Sequence, residues 1–296
     1  MSTLESSQDP APERTGAQSE GEQWFARGQS AEADSNLEGA RAAYAAAIAR
    51  DPSRGEWHYR LGCVCRKLEA LPDAAEAFRR AAELCPDDAR CLHNYGTILD
   101  RLGRRQEAVG MFRRAIARDP QHAEAQNNLG AIYAEQGRVE EAIRAFEAAI
   151  AVRPDAGGWR NLGLVHYHRD DYDRALHCFQ QALLMEPTAA IGHYYAGLCL
   201  LKKGVYRDAV PHFRQALGQD ARLVRSHFHI GVCLHKLACH EEALASLKRA
   251  LEAFPEDARL NYQLGLTYDA LLLHQEARHH YRQARATRAS GFGGTL

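Results

Sequence analysis

Small, aromatic and proline positions recur along this chain on a fixed ruler. Pro52, Pro86, Pro120 and Pro154 are each 34 residues apart, Pro187 follows after 33, and Pro255 lies 68 further on. The ruler gives eight units, starting at residues 21, 55, 89, 123, 156, 190, 224 and 258. Position 8 of every unit is glycine: Gly28, Gly62, Gly96, Gly130, Gly163, Gly197, Gly231 and Gly265. Positions 20 and 27 are alanine throughout, from Ala40 and Ala47 to Ala277 and Ala284. Position 24 is aromatic in seven units (Tyr44, Phe78, Phe112, Phe146, Phe179, Phe213, Tyr281) and Leu247 in the other. Self-similarity at this period is the mark of one supersecondary unit stacked many times.

The residue types say what the unit is. Two helices approach closely only where side chains are small, and the glycine and alanine positions supply that contact. The aromatic at position 24 fills the space between them and buries a large area. Gly103, Gly137 and Gly204 fall where a first helix must end in a left-handed turn. Glu140, Glu141, Glu241 and Glu242 fall in the first turn of a second helix, where negative charge suits the dipole. Proline closes most units because it cannot continue a helix. The reading is all-α: eight helical hairpins over residues 21–291, after an acidic, polar tail at 1–20 expected to be disordered and before a short tail at 292–296.

The pattern resembles the tetratricopeptide repeat. That family's 34-residue signature (bulky residue, Leu-Gly, Tyr, then Ala, aromatic, Ala, Pro) is met across residues 21–291, and Trp24 and Trp159 occupy its tryptophan position. Arg27 departs from the usual Leu, and Ala221 and Ala289 from Pro. The resemblance implies a right-handed superhelical α-solenoid of antiparallel helix pairs. It also implies a concave groove lined by the first helix of each pair, chiefly at positions 2, 5, 6, 9, 12 and 13.

In that register position 6 reads Ala26, Arg60, Asn94, Asn128, Asn161, Tyr195, His229, Gln263. The three successive asparagines resemble the asparagine ladder by which a member of the family holds an extended peptide by its backbone. An Asn amide offers both donor and acceptor, so it can pair with a peptide unit whatever the side chain. Helices pack roughly 8–10 Å apart and an extended peptide advances ~3.3 Å per residue, so each Asn would meet about every third residue. The expected peptide-binding groove comprises Arg60, Asn94, Asn128, Asn161, Tyr194, Tyr195, Phe228, His229 and Tyr262. Its N-terminal flank is basic (Arg60, Arg66, Lys67, Arg90, His93, Arg101) despite Glu56 and Asp100. Its C-terminal flank is apolar and aromatic (Leu164, Tyr194, Tyr195, Leu198, Leu201, Phe228, Val232, Tyr262, Leu266). A ligand acidic at one end and apolar at the other follows. The carboxylate clamp of family members that bind chaperone tails is not matched; the second unit, for example, has Tyr59 and Cys63 where the clamp has Lys and Asn.

Composition narrows the function. The net charge of −1 over 296 residues gives no basic excess for nucleic acid. No apolar run approaches the ~20 residues that cross a bilayer, and Met1–Glu22 holds no apolar signal segment, so a cytoplasmic protein is expected, or a nuclear one if eukaryotic. The eight cysteines are expected as reduced structural thiols, with Cys63 the most open to reaction. His166/His168 and His227/His229 are two apart and diverge on a helix, unlike i,i+4 zinc ligands, and so are read as surface or groove residues, as His279 and His280 are read as solvent-facing. No catalytic residue, metal or cofactor is expected. The function expected is a non-catalytic scaffold or adaptor that binds an extended peptide or partner segment. The alternative is a structural protein that self-assembles through its array ends, where Arg278, Arg282, Arg285 and Arg288 crowd the last helix.

Overall fold

The structure, a computed structural model, describes residues 16–289, which form sixteen α-helices and no strand. They fall into two units. The first, to Gln136, holds α1 (Gly16–Ala33), α2 (Leu37–Arg50), α3 (Gly55–Lys67), α4 (Leu71–Leu84), α5 (Ala89–Arg101), α6 (Arg105–Arg118) and α7 (Ala123–Glu135). The second, from Gly137, holds α8 (Val139–Val152), α9 (Ala156–His168), α10 (Tyr172–Met185), α11 (Ala190–Lys202), α12 (Tyr206–Gln219), α13 (Arg225–Lys236), α14 (His240–Ala253), α15 (Ala258–Ala270) and α16 (His274–Ala289). The helix count fits eight hairpins, and each unit is an all-α solenoid of antiparallel pairs. Helix α1 begins at Gly16, inside the stretch expected to be a disordered tail. The rest of that tail, residues 1–15, and the tail at 292–296 lie outside the described residues.

Each hairpin closes as its small residues dictate. A Cβ placed on Gly96 would lie 2.8 Å from the Phe112 ring, and one on Gly197 would lie 2.9 Å from Phe213. Only hydrogen fits at position 8 while an aromatic ring fills position 24. Phe78, Phe112, Phe146, Phe179 and Phe213 are fully buried, as are the alanines at position 20. Each such ring contributes roughly 1.5–3 kcal/mol by leaving water. In the second unit the burial runs on from pair to pair: Phe179 on α10, Cys199 on α11, Phe213 on α12 and Cys233 on α13 share one core. No hairpin buries its own face alone.

The hairpin turn is left-handed at position 15 in all eight repeats. Gly103, Gly137 and Gly204 have φ of +76°, +71° and +75°, as their sequence context implied. Ser35, Glu69, Asp170, Ala238 and Leu272 take the same conformation at φ near +60° without being glycine. At the seventh turn Cys239 N–H reaches back to the Leu234 carbonyl at 2.9 Å and Ala238 N–H to that of His235 at 3.0 Å. Those bonds satisfy helix-end carbonyls and hold the residue there despite its Cβ.

Position 4 ties four of the first helices to the loop before them. His58 Nε2 lies 3.0 Å from the Pro52 carbonyl and His193 Nε2 2.9 Å from that of Pro187. Gln126 donates to Pro120 O at 2.8 Å and Asn261 to Pro255 O at 3.0 Å. Four polar side chains of three kinds thus make the same bond, six residues back. Cysteines are buried or half-buried, and burial pushes Cys178 up to about 11 and Cys233 up to about 12. Cys63, expected as the reactive one, is also raised by burial, so its surroundings keep it a thiol.

Candidate functional site

The first unit presents its predicted site residues on α3, α5 and α7. Asn94 donates from Nδ2 to the Arg90 carbonyl at 2.9 Å and to Tyr59 Oη at 3.3 Å. A carbonyl can only accept, so the amide orientation is determined: nitrogen inward, Oδ1 outward with no protein partner. Asn128 repeats the arrangement, with Nδ2 3.1 Å from His93 Nε2 and 3.5 Å from Thr97 Oγ1. Thr97 spends its own proton on the His93 carbonyl at 3.0 Å and so accepts from Asn128. His93 Nε2 accepts as well, which requires a neutral ring. Burial, helped by His122, pushes the His93 pKa down to about 4 and keeps it neutral.

The asparagine at position 6 is therefore held by position 5 of the preceding repeat, 35 residues earlier. Both amide donors are committed inside the protein, and what each side chain offers outward is an acceptor. The sequence implied a two-way amide at each step; the free chain offers one half of it. Asn161 holds the same register on α9 of the second unit, half-buried.

The basic flank is largely neutralised. Arg60 pairs with Glu56 at 3.1 Å, Lys67 with Glu32 at 2.7 Å, and Arg90 with Asp88 at 2.7 Å. Arg101 pairs with Glu69. Among the described residues Arg66 of this flank has no such ion pair, and its buried Nε has no hydrogen-bond partner.

In the second unit the position 5–6 contact is Tyr to His. Tyr194 Oη lies 3.3 Å from His229 Nε2, again 35 residues on. The surrounding rings interlock: His229 stacks on Phe213 at 5.1 Å and meets Phe228 edge-on at 5.3 Å. Tyr195 stacks on Phe179 at 5.4 Å and meets Tyr194 edge-on at 5.6 Å. Burial in this cluster pushes the His229 pKa down to about 4. Tyr194, Tyr195, Phe228 and His229 are half-buried, and Leu198 is buried. At these residues the open aromatic face expected from the sequence is a half-buried cluster of rings packed on one another. Tyr262, 47% exposed, is the predicted site residue that stands most open.

Three features were not read from the sequence. His166 is buried rather than surface or groove-facing, and His280 accepts no solvent role either, lying 2.9 Å from Asn261 Oδ1 and stacked on Tyr268. Tyr44 and Tyr281, which stand where other repeats have Phe, donate to Glu32 at 3.0 Å and Asp269 at 2.8 Å, both position 12 residues. A cavity of 670 Å³ opens in the last hairpin between Tyr262, Tyr281 and the arginines of α16. The Tyr-to-acid pairing was visible in principle, since both units with tyrosine at position 24 carry an acid at position 12, a position where the third unit also has Asp100 but with Phe112 opposite.

Comparison with known proteins follows the same lines. The tetratricopeptide-repeat family model matches residues 25–89, 96–158, 133–176, 160–224 and 240–291. Among solved structures, YrrB, described as a tetratricopeptide-repeat protein with an unusual peptide-binding site, is 23% identical. Its TM-score is 0.57, covering 71% of this chain and 100% of that one. The C-terminal part of a repeat-containing protein from Cytophaga hutchinsonii is 18% identical, TM-score 0.66, covering 81% of this chain and 99% of that one. MamA is 25% identical, TM-score 0.53, covering 57% of this chain and 93% of that one. No curated protein matches the sequence.

Proposed function

Because the chain belongs to the tetratricopeptide-repeat family, we propose that it is a non-catalytic interaction scaffold that holds extended peptide segments of partner proteins against its first helices. The observation that carries this reading is the outward amide oxygen of Asn94 and its counterpart on Asn128. Each accepts a backbone N–H of the ligand, a group every residue but proline carries, so the contact grips a strand without reading its sequence. The second unit, taken by itself, offers a surface that selects by side chain. There the edges of Tyr194, Tyr195 and Phe228, with His229 between them, take apolar side chains, and Asn161 supplies a further polar contact. Arg60, tied to Glu56, orients rather than attracts. Among the described residues no helix is long and apolar enough to cross a membrane. The peptide-binding description of YrrB is in keeping with this reading.

A peptide array probed with the wild-type chain and with Asn94→Ala/Asn128→Ala tests it. A hydrogen bond is worth roughly 0.5–1.5 kcal/mol net, so losing two lowers affinity by about five- to a hundredfold. Array peptides bound equally by both chains remove the asparagine contact from the account. The alternative, self-assembly through the array ends, predicts a mass that grows with concentration in light scattering; a constant monomer mass discards it.

A further inference from the structure

Within the second unit, each hairpin offers the next first helix an apolar face. In the seventh hairpin that face is Leu244, Leu247 and Leu251 on α14, Phe254 at its C-cap and Phe228 on α13, packed in the core that holds Leu260 and Leu264 of α15. Thirty-four residues on, the equivalent positions are Arg278, Tyr281, Arg285, Arg288 and Tyr262. Three apolar side chains have become arginines, and the two aromatic or apolar positions at the floor have become tyrosines. Arg282 adds a fourth guanidinium on the same helix. Together they line the open 670 Å³ cavity.

The charges in this cleft are unspent. Among the described residues none of the four arginines has a carboxylate within 4.0 Å, whereas Arg79 on α4 meets Glu76 at 2.6 Å and Arg105 on α6 meets Glu135 at 2.5 Å. Arg278 acts only at a distance on Asp269, whose carboxyl is held below its ordinary range mainly by the Tyr281 hydroxyl and His274. All four arginines are exposed, and Tyr262 is 47% exposed beside them.

We propose that this cleft binds an acidic amphipathic segment of a partner protein, seated where a following first helix would stack. Its apolar side lies on Tyr262 and Tyr281, and its carboxylates meet the arginines, whose planar forks suit bidentate pairing. An ordinary repeat helix does not fit. A face like that of Leu260 and Leu264 would bury guanidinium groups without partners, at a cost of several kcal/mol each. Nor do residues 290–296 match, since they hold no Asp or Glu side chain. The site shares no residue with the asparagine line and does not depend on it.

Fluorescence anisotropy with the full chain tests the proposal. The probe is a labelled peptide with glutamates at helical spacing around leucines, and its control has glutamine at every glutamate. The probe is expected to bind, to weaken with added salt, and to lose about tenfold or more in affinity to Arg282→Glu/Arg285→Glu. Arg282→Gln/Arg285→Gln, with an unchanged helical circular dichroism spectrum, is expected to fall between. Asn94→Ala/Asn128→Ala lowers binding of array peptides but not of this probe, which separates failure of the two sites. Equal binding of the glutamine control, or unchanged affinity in the charge-reversed chain, overturns the proposal. Self-association of the wild type that Arg282→Glu/Arg285→Glu abolishes also overturns it, by giving the cleft to a second copy.

Discussion

Tyr59 Oη stands 3.3 Å from Asn94 Nδ2, across one repeat, and joins the Arg90 carbonyl in holding the amide with its nitrogen inward. The same step in register joins His93 to Asn128 and Tyr194 to His229. A position 6 residue, the one we propose to face a ligand, is thus held by position 5 of the preceding repeat. Site geometry is inherited along the array with the stacking.

Tyr59→Phe removes that hydroxyl and leaves the ring, which packs edge-on against Phe78 at 5.8 Å. Stability falls by about 1 kcal/mol or less, because one partly buried hydrogen bond is lost. Affinity for peptides held by Asn94 falls severalfold as the amide gains freedom to turn. Urea denaturation and anisotropy on the same variant read the two effects. A stability loss with unchanged peptide affinity denies Tyr59 its positioning role.

Stability depends on pH through the buried histidines. In the unfolded chain His93 and His229 protonate near 6.5, whereas in the folded chain burial delays this to about 4. As pH falls the unfolded state takes up protons first, so stability is full above pH 6.5 and drains toward pH 4. Each residue contributes up to ~3 kcal/mol of that loss. His166, His212 and His280, also lowered by burial, push the same way. Replacing His229 by Phe, which suits its ring neighbours, flattens the fall in Tm over this window. An unaltered slope contradicts the assignment.

Leu272 holds a left-handed turn at φ +60° with its side chain 77% exposed. The conformation costs a non-glycine residue roughly 1–2 kcal/mol, while glycine adds at most about 1 kcal/mol of unfolded-state entropy. Leu272→Gly therefore raises stability by about 0.5–1 kcal/mol in equilibrium denaturation. A loss of stability means the side chain matters more than its exposure implies.

Gly197→Ala sets two effects against each other. Alanine is better than glycine inside a helix by about 1 kcal/mol. Its Cβ would sit 2.9 Å from the Phe213 ring, and overpacking costs typically 1–3 kcal/mol. The steric effect wins, and thermal unfolding shifts down. A rise in Tm denies that hairpin closure depends on a bare position 8.

How much of this was legible follows from where each constraint lies. The contact of Gly96 with Phe112 could be read because the same steric demand recurs in every repeat, which fixes residue type at fixed spacing. The turn at Gly103 was legible for that reason; the turn at Leu272 was not, because backbone hydrogen bonds impose it on a residue with no preference for it. The pairing of Lys67 with Glu32 was hidden, since which acid meets which base depends on how neighbouring helices lie. The outward acceptor of Asn94 was hidden for the same reason: residue type shows that an amide is present, and only its partners show which end is free. The arginines of α16 were visible as a crowd, but their replacement of Leu244, Leu251 and Phe254 acquired meaning once the stacking face was seen.

Side-chain amide signals from chain labelled with ¹⁵N at asparagine, followed during titration with a peptide chosen from the array, test the central claim most directly. Assigned by the Asn94→Ala and Asn128→Ala variants, both signals are predicted to shift together and saturate with the peptide. Saturation with both signals unmoved, while resonances elsewhere in the chain respond, contradicts it.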